Sequence, residues 1–173
     1  MVSYPNVSNA SSACDITVAN GVSFVFGVEL VSSLDSSPHM WSVRNTVASN
    51  PRYGFKYTPS GPTINFFLVH DAYSIGSNII REIEGEKLIL GLTVDFTNGE
   101  IKRYVNGTLD GTDSVSTSSD DVICTASTPF DLGRYTSLDY CGLFKFMLKT
   151  GQILTEQEMF DVTEDLFNKF GSQ

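Results

Sequence analysis

Residues 86–111 of this 173-residue chain constrain the fold most, because they combine three strand patterns with two turn signals. In the first pattern apolar residues occupy every second position, at Leu88, Leu90, Leu92, Val94 and Phe96. This alternation is typical of a β-strand that buries one face. Asn98-Gly99 and Asn106-Gly107 then indicate hairpin turns, because Asn and Gly tolerate a positive φ. The stretch therefore predicts a three-stranded antiparallel meander.

A meander of two or three strands is only marginally stable in water, so its apolar face needs a second layer. The same alternation in residues 22–30 predicts another strand. Short apolar runs between Pro, Gly and Asn signals predict further strands, over residues 40–43, 53–57, 63–69, 79–83, 122–125 and 140–148. Residues 70–78 and 110–121 are predicted to be loops. The pattern favours an all-β fold of two antiparallel sheets that pack as a sandwich.

Near its end the chain changes from a period of two to the spacing of a helix. Thr155 followed by Glu158 is a capping box, which marks the start of a helix. Apolar residues then recur every three or four positions, at Met159, Val162, Leu166 and Phe170. Residues 156–169 are therefore predicted to form an amphipathic helix that packs against the edge of the sandwich. A partner-binding helix is the alternative.

These patterns include motifs that resemble a known family. In the central hairpin, D-F-x-N-G followed by Y-V-N-G is similar to laminin-G-like domains of the concanavalin A-like lectin and glucanase superfamily. VSFVFGVELVSS resembles the early strand of those domains, and CGLFKFMLKTGQILTEQEM resembles their closing strand and the helix start after it. The matches extend over residues 22–170. The resemblance implies a concanavalin A-like jelly-roll β-sandwich of two antiparallel sheets with a short C-terminal helix.

The length and charge of the chain limit its organisation and its partners. We expect residues 1–21 to form an N-terminal arm or edge strand, and residues 22–173 to form one laminin-G-like domain. A net charge of −9 with scattered basic residues argues against binding to nucleic acid. No apolar run approaches the roughly 18 residues of a membrane helix, so no membrane insertion is expected.

The first residues of the sequence indicate where the protein is expected to be located. They lack the basic and apolar regions of a signal peptide. Laminin-G-like modules resemble parts of phage tail fibres and decoration proteins. The expected location is therefore extracellular, or within a particle such as a virion.

The sequence carries one pattern that suggests catalysis. Glu82, Glu84 and Glu86 alternate as do the acidic residues on the catalytic strand of glycosidases in the resembled superfamily. However, Gly85 interrupts the run and the segment leads directly into the central hairpin, so a solvated turn is predicted instead. No G-x-S-x-G motif occurs, and the three cysteines lack metal-finger spacing. We therefore expect a protein that is not an enzyme.

Aromatic residues and one arginine are the candidates for glycan binding. Tyrosine and tryptophan rings stack on the C–H faces of sugars, and arginine donates hydrogen bonds to hydroxyl groups. The candidates are Trp41, Tyr53, Tyr57, Arg103 and Tyr104. A platform built from Tyr53, Tyr57 and Tyr104 requires rings that are partly exposed and close together. The alternative is that these rings lie in the core.

Acidic residues at one end of the central meander are candidates for a metal site. Calcium takes several oxygen ligands from loops, and Asp110, Asp113, Asp120 and Asp121 supply carboxylates in that region. The chain lacks the 12-residue pattern of a calcium loop. No cofactor is required by the sequence, and calcium is the candidate.

Two functions follow from these expectations. The preferred one is a recognition module that binds a glycan or a cell-surface partner. The alternative is a structural component of a larger assembly, such as a virion decoration or tail protein. In that case the arm and the helix would contact other copies of the chain or other structural proteins.

Overall fold

The computed structural model describes residues 16–17, 21–30, 39–43, 52–58, 63–70, 73–80, 86–115, 122–124, 130–132, 134–135, 138–139 and 142–170. In chain order the elements are β1 Ile16–Thr17, β2 Val22–Leu30, β3 His39–Val43, β4 Arg52–Thr58, β5 Thr63–His70, β6 Tyr73–Ile80, β7 Lys87–Asp95, β8 Glu100–Val105, β9 Thr108–Ser114, β10 Val122–Cys124, β11 Phe130–Leu132, β12 Arg134–Tyr135, β13 Leu138–Asp139, β14 Gly142–Thr150 and α1 Glu156–Phe170. Residues 1–15 of the expected arm and Glu82 and Glu84 of the acidic pattern lie outside the described residues.

The chain forms two compact units, and each contains one five-stranded sheet. The sheet of the first unit has the strand order β11-β3-β4-β5-β6. The sheet of the second unit has the order β14-β2-β7-β8-β9, and α1 belongs to this unit. Neighbouring strands in both sheets are antiparallel. The prediction of antiparallel sheets that end in a helix is confirmed.

In the first unit, β6 lies where the sequence predicted a loop over residues 70–78. It pairs with β5 along its whole length, up to His70 opposite Tyr73. Ser77 is buried, whereas Asn78 is exposed and accepts a hydrogen bond from Asn65 across the pair. An edge strand tolerates such polar residues, because backbone hydrogen bonds to its neighbour hold it in place. The loop prediction is therefore wrong for this segment.

The second unit aligns the apolar residues of its central strands on one face. β2 lies between β14 and β7, and the β2–β7 register begins with Val22 opposite Val94. The aligned residues are at most 3% exposed: Val22, Phe24, Phe26, Val28, Leu88, Leu90, Leu92 and Val94. Each such side chain stabilises the fold by roughly 1.5–3 kcal/mol when it leaves water. Both strands form as predicted, but the prediction that they bury only one face is wrong. On the opposite face Ser23, Val25, Ile89 and Thr93 are also at most 5% exposed, because α1 packs there.

Both predicted hairpin turns are present in the second unit. Asn106 and Gly107 have φ values of 50° and 79°, as a two-residue turn with both central residues left-handed requires. The first turn is a four-residue loop between Asp95 and Glu100, in which Gly99 has a φ of 69°. There the Asp95 carboxylate accepts hydrogen bonds from the backbone of the two residues before Gly99. β9 then extends from Thr108 to Ser114, so the loop prediction is wrong for residues 110–114, and residues 116–121 lie outside the described residues.

We predict that Gly99→Val and Gly107→Val each destabilise the protein by about 1 kcal/mol or more, because a β-branched residue is poorly tolerated at a positive φ. Gly107→Val should have the larger effect, since a Cβ there would also lie 3.3 Å from Phe160 Cα and Thr163 Cβ. Urea denaturation of both variants measures these changes. An unchanged free energy of unfolding in both variants would contradict the assigned turn geometry.

Helix α1 begins at the predicted capping box. The Thr155 backbone N–H and hydroxyl each donate to Glu158 Oε2 at 2.8 Å, and the Glu158 backbone N–H donates to Thr155 Oγ1 at 3.2 Å. This exchange satisfies backbone donors that the first turn of a helix leaves unpaired. The predicted helix over residues 156–169 is confirmed, and it extends to Phe170.

Helix α1 packs on one face of the second sheet, which we call the helix-side face. Met159 is fully buried and packs with Val25, Ile89 and Tyr104 of that face. Gly91 makes room for this packing, because a Cβ at Gly91 would lie 2.6 Å from Met159 Sδ. The sequence predicted that the helix packs against a sandwich edge. The helix lies on a sheet face instead, because the missing side chain at Gly91 leaves a recess that Met159 fills.

Candidate functional site

Two of the aromatic candidates, Tyr57 and Tyr104, are not exposed as a stacking platform requires. Tyr57 on β4 is 4% exposed and Tyr104 on β8 is 1% exposed. Trp41 lies on β3 and Tyr53 on β4, and their side chains lie outside the described part of the chain. The expectation of partly exposed rings is wrong for Tyr57 and Tyr104, because both side chains are buried. Their roles in glycan binding, and those of Trp41 and Tyr53, stay predictions.

Arg103 is engaged by acidic residues of the neighbouring strand. Its Nε lies 3.5 Å from Asp110 Oδ2, and its Nη1 forms an ion pair with Asp113 Oδ2. Only 14% of its side chain is exposed. Gly111 makes this approach possible, because a Cβ there would overlap the guanidinium group. This guanidinium therefore has carboxylate partners within the protein, and it is poorly placed to contact a glycan.

The same contacts bear on the predicted calcium site. Asp110 and Asp113 use carboxylate oxygens on Arg103, whose positive charge takes the place that a cation would have beside them. Asp120 and Asp121 lie outside the described residues. Within the described ranges, no group of three or more His, Cys, Asp or Glu side chains could hold a metal ion. Calcium binding stays a prediction.

A cleft opens on the helix-side face, between β7 and β8 on one side and the start of α1 on the other. We call it the helix-side cleft, and its volume is about 480 Å³. Most of its lining residues carry hydrogen-bonding groups: Thr93, Asp95, Glu100, Lys102, Tyr104, Ile153, Leu154, Thr155, Glu156 and Gln157. The strand residues share one face because alternate side chains of a strand point the same way. The cleft thus collects polar groups from two strands and from a helix start.

One wall of the cleft is fixed by Ser23 of β2. The Ser23 hydroxyl donates to the Gln152 carbonyl at 2.7 Å and accepts from the Leu154 N–H at 2.9 Å. Ser23 is 1% exposed, so both hydrogen bonds are shielded from water. They hold the segment before α1 against the sheet. The sequence indicated only that Ser23 is a polar position of a strand. Its hydrogen bonds to Gln152 and Leu154 join distant parts of the chain, so no local pattern predicted them.

Lys102 connects the sheet to the helix across the cleft. Its Nζ donates to Glu156 Oε1 at 3.2 Å and lies 3.6 Å from Glu100 Oε2. The hydrogen bond to Glu156 raises the pKa of Lys102 above its ordinary value of 10.5, and the charge of Glu100 adds to this effect. All three side chains are partly exposed, so the pairs add little to folding stability. Their main consequence is to hold the Lys102 ammonium between two carboxylates.

The Tyr104 hydroxyl is the least satisfied group at the cleft. It is fully buried and has no hydrogen-bond partner among the described residues. Burial raises the pKa of Tyr104 above its ordinary value of 10.0, so the hydroxyl stays protonated at neutral pH. Thr93 is close enough to oppose this rise in pKa, but its contact with the hydroxyl lacks hydrogen-bond geometry. A buried polar group without a partner is unfavourable by about 1–3 kcal/mol, so the position of this hydroxyl requires an explanation beyond folding.

The capping box beside the cleft predicts a dependence on pH. Hydrogen bonds from the Thr155 backbone and side chain lower the pKa of Glu158 below its ordinary value of 4.5. A lowered folded-state pKa means that the stabilisation is present above pH 4.5 and is lost as the pH falls through the lowered value. We therefore expect Glu158→Gln to be less stable than the wild type at neutral pH, with the difference closing in acid. Thermal melts followed by circular dichroism measure this difference.

Glu164→Gln is the control for this measurement, because Glu164 is an exposed residue of the same helix. Its stability should follow that of the wild type at every pH. Parallel curves for the wild type and Glu158→Gln would contradict the capping role of the Glu158 carboxylate.

Comparison with known proteins identifies the fold. No protein-family model and no curated protein matches the chain. Among solved structures, it is similar to the heptameric SAP-like pentraxin of Limulus polyphemus, with a TM-score of 0.61, 14% identity, and coverage of 86% of this chain and 72% of the pentraxin. It is similar to domain 4 of AbnA, a GH43 extracellular arabinanase of Geobacillus stearothermophilus in complex with arabinotriose, with a TM-score of 0.63, 17% identity, and coverage of 87% and 69%.

A third similar structure is that of botulinum neurotoxin type C, whose cell entry depends on interaction with two ganglioside molecules. The TM-score is 0.66 at 14% identity, and the match covers 87% of this chain and 37% of the toxin chain. At these identities the similarity establishes the fold alone. The chain has the jelly-roll β-sandwich fold that the sequence predicted. Among the described residues, no helix is both long and apolar enough to cross a membrane.

Proposed function

We propose that this chain is a non-enzymatic, laminin-G-like recognition module that binds a glycan of a cell surface through the helix-side cleft. The observation that carries the proposal is Tyr104, a residue of the cleft lining whose buried hydroxyl has no hydrogen-bond partner among the described residues. A cleft of about 480 Å³ lies within the range of small-ligand sites, roughly 300–1,000 Å³. An extracellular or particle-associated location fits such a role.

The lining suits a sugar in its chemistry. Sugar hydroxyls both donate and accept hydrogen bonds, and the hydroxyls of Thr93 and Tyr104 can do the same. Ile153 and Leu154 supply apolar surface for the C–H side of a sugar ring. The arabinotriose complex and the ganglioside dependence of the two similar proteins show that this fold carries sugar recognition elsewhere.

The carboxylates of the cleft do not suit glycoside hydrolysis. A glycosidase acid must keep its proton near neutral pH, which requires a carboxyl group shielded from water and from cations. The side chains of Glu100 and Glu156 are 43% and 58% exposed, and both lie beside the Lys102 ammonium. Neither carboxyl group therefore has the shielded surroundings that such an acid requires. The cleft therefore favours binding over catalysis.

A second candidate function rests on exposed apolar residues of α1. Phe160 and Phe167 are 41% and 51% exposed, and Leu109 of β9 is 40% exposed. Large exposed apolar side chains are frequent at protein–protein contacts. A structural component of a larger assembly, such as a virion, would use this surface to contact a neighbouring copy or another structural protein.

Two measurements separate the two functions, and a third tests for catalysis. A glycan array should give specific signals, sedimentation should show a monomer, and a β-glucan panel incubated with the protein should release no reducing sugar. A symmetric oligomer without array signals would favour the structural component. Release of reducing sugar would overturn the assignment as a non-enzyme.

A further inference from the structure

The charge of the helix-side cleft distinguishes anionic glycans from neutral ones. Its lining includes three carboxylates, of Asp95, Glu100 and Glu156, and one ammonium, of Lys102. The start of a helix adds a positive charge equivalent to about half an elementary charge. This partial positive charge is too small to offset the negative charge of the excess carboxylates. An anionic sugar would therefore meet net negative charge in the cleft.

The one ammonium of the lining is already engaged. Lys102 Nζ is held by Glu156 at 3.2 Å and by Glu100 at 3.6 Å. A sialic acid carboxylate or a sulfate group would have to displace these carboxylates, which are part of the protein and cannot diffuse away. Competition of this kind disfavours an anionic ligand even where an ammonium is close by.

The carboxylate of Asp95 is also fixed in place. Its Oδ1 accepts from the backbone N–H groups of Thr97 and Asn98 at 3.0 Å and 2.9 Å, and its Oδ2 accepts from Asn98 Nδ2 at 2.7 Å. Asp95 therefore adds a fixed negative charge at one end of the cleft.

We infer that the helix-side cleft selects neutral, hydroxyl-rich sugar units and rejects sialylated and sulfated ones. The inference rests on the proposed function, since it names the class of glycan that the same site binds. A neutral sugar hydroxyl supplies the hydrogen-bond partner that Tyr104 lacks and brings no charge to the carboxylates. Specificity then arises from the repulsive carboxylates as much as from the attractive hydroxyl groups.

The test begins with a glycan array that contains neutral, sialylated and sulfated members. The strongest neutral glycan is then titrated by calorimetry against the wild type, Tyr104→Phe and the Glu100→Gln/Glu156→Gln double variant. We expect neutral glycans to bind best. Tyr104→Phe should weaken binding by roughly tenfold or more, as expected when a site loses a buried hydrogen bond to its ligand. The double variant should gain affinity for acidic glycans.

Two controls separate binding from folding. Tyr104→Phe should keep or raise the melting temperature, because the hydroxyl has no hydrogen-bond partner to lose in the part of the chain that the structure describes. Glu164→Gln removes an exposed carboxylate of α1 outside the cleft lining, and it should leave both the affinity and the glycan preference unchanged.

Each other outcome has a distinct meaning. If acidic glycans bind as tightly as neutral ones, or if Tyr104→Phe binds like the wild type, the inference is overturned and glycan recognition still stands. If no glycan of any class binds, the proposed function is overturned together with the inference. Loss of binding in Tyr104→Phe supports the inference only when this variant keeps the melting temperature of the wild type.

Discussion

Gly21→Ala is expected to destabilise the protein by about 2–5 kcal/mol, the sum of a left-handed backbone penalty and a steric overlap. Gly21 precedes β2 and has a φ of 58°, which a residue with a Cβ adopts only at an energetic penalty. A Cβ at Gly21 would also lie 2.5 Å from the Val94 carbonyl oxygen and 2.6 Å from Ile153 Cγ1. The carbonyl belongs to the backbone of the central strand β7, so it has little freedom to move aside.

The measurement for Gly21→Ala is the free energy of unfolding from urea denaturation. Gly151→Ala is the matched control, because a Cβ at Gly151 would meet no atom within 4 Å. The control should stay within about 0.5 kcal/mol of the wild type, as surface substitutions usually do. Equal stabilities of the two variants would contradict the tight contact between the start of β2 and β7. Reduced glycan binding in Gly21→Ala would follow from the displacement of Ile153, which lines the helix-side cleft.

Met159→Ala is expected to reduce the free energy of unfolding by about 2–5 kcal/mol, the range for truncating a buried methionine, leucine or isoleucine side chain. Met159 is fully buried in the cluster that joins α1 to the helix-side face. Its removal leaves a space above Gly91 that the backbone of a strand cannot fill. The helix should then detach more readily than the sheet unfolds. Circular dichroism followed during denaturation measures whether the helical signal is lost before the sheet unfolds.

A double-mutant cycle tests whether Met159 and Gly91 act together. Gly91→Ala alone introduces a Cβ 2.6 Å from Met159 Sδ and 3.2 Å from Tyr104 Cβ. In the Met159→Ala background the first overlap is absent, so Gly91→Ala should be less destabilising there. We expect a coupling energy of about 0.5–3 kcal/mol, as is typical for residues in contact. Phe167→Ala is the control, since Phe167 is 51% exposed and its loss should have little effect. A coupling energy of zero would contradict the packing of Met159 into the recess.

The sequence predicted local structure well where one physical signal dominated. Alternation in β2 and β7, the two glycine turns and the capping box of α1 are each set by residues close together in the chain. β6 was missed because its polar residues match a loop in composition, whereas its place is set by hydrogen bonds to β5. The position of α1 was missed for a similar reason, since a helical stripe of apolar residues does not specify which surface it covers.

The candidate site was only partly predictable. Strand alternation places Lys102 and Tyr104 on one face, but it does not show that a helix covers that face. Tyr104 was therefore expected to offer an exposed ring, whereas the structure buries the ring and leaves the hydroxyl without a partner. The contact of Lys102 with Glu156 joins residues 54 positions apart, and no local pattern encodes it. Arg103 was predicted to contact a glycan. Its two carboxylate partners could not be foreseen, because their contacts with Arg103 depend on the register of β9.

The place of β2 in its sheet has a consequence for how the chain is made. β2 ends at Leu30, but its two neighbours, β7 and β14, begin at Lys87 and Gly142. At about 5–20 residues per second, a ribosome needs roughly 5–25 seconds to extend the chain from the end of β2 to the start of β14. During that interval VSFVFGVEL is an apolar strand with an unpaired edge, which is the kind of segment that chaperones bind and that aggregates when they do not. The order of the strands along the chain therefore exposes this segment to aggregation during synthesis, before both of its neighbours exist.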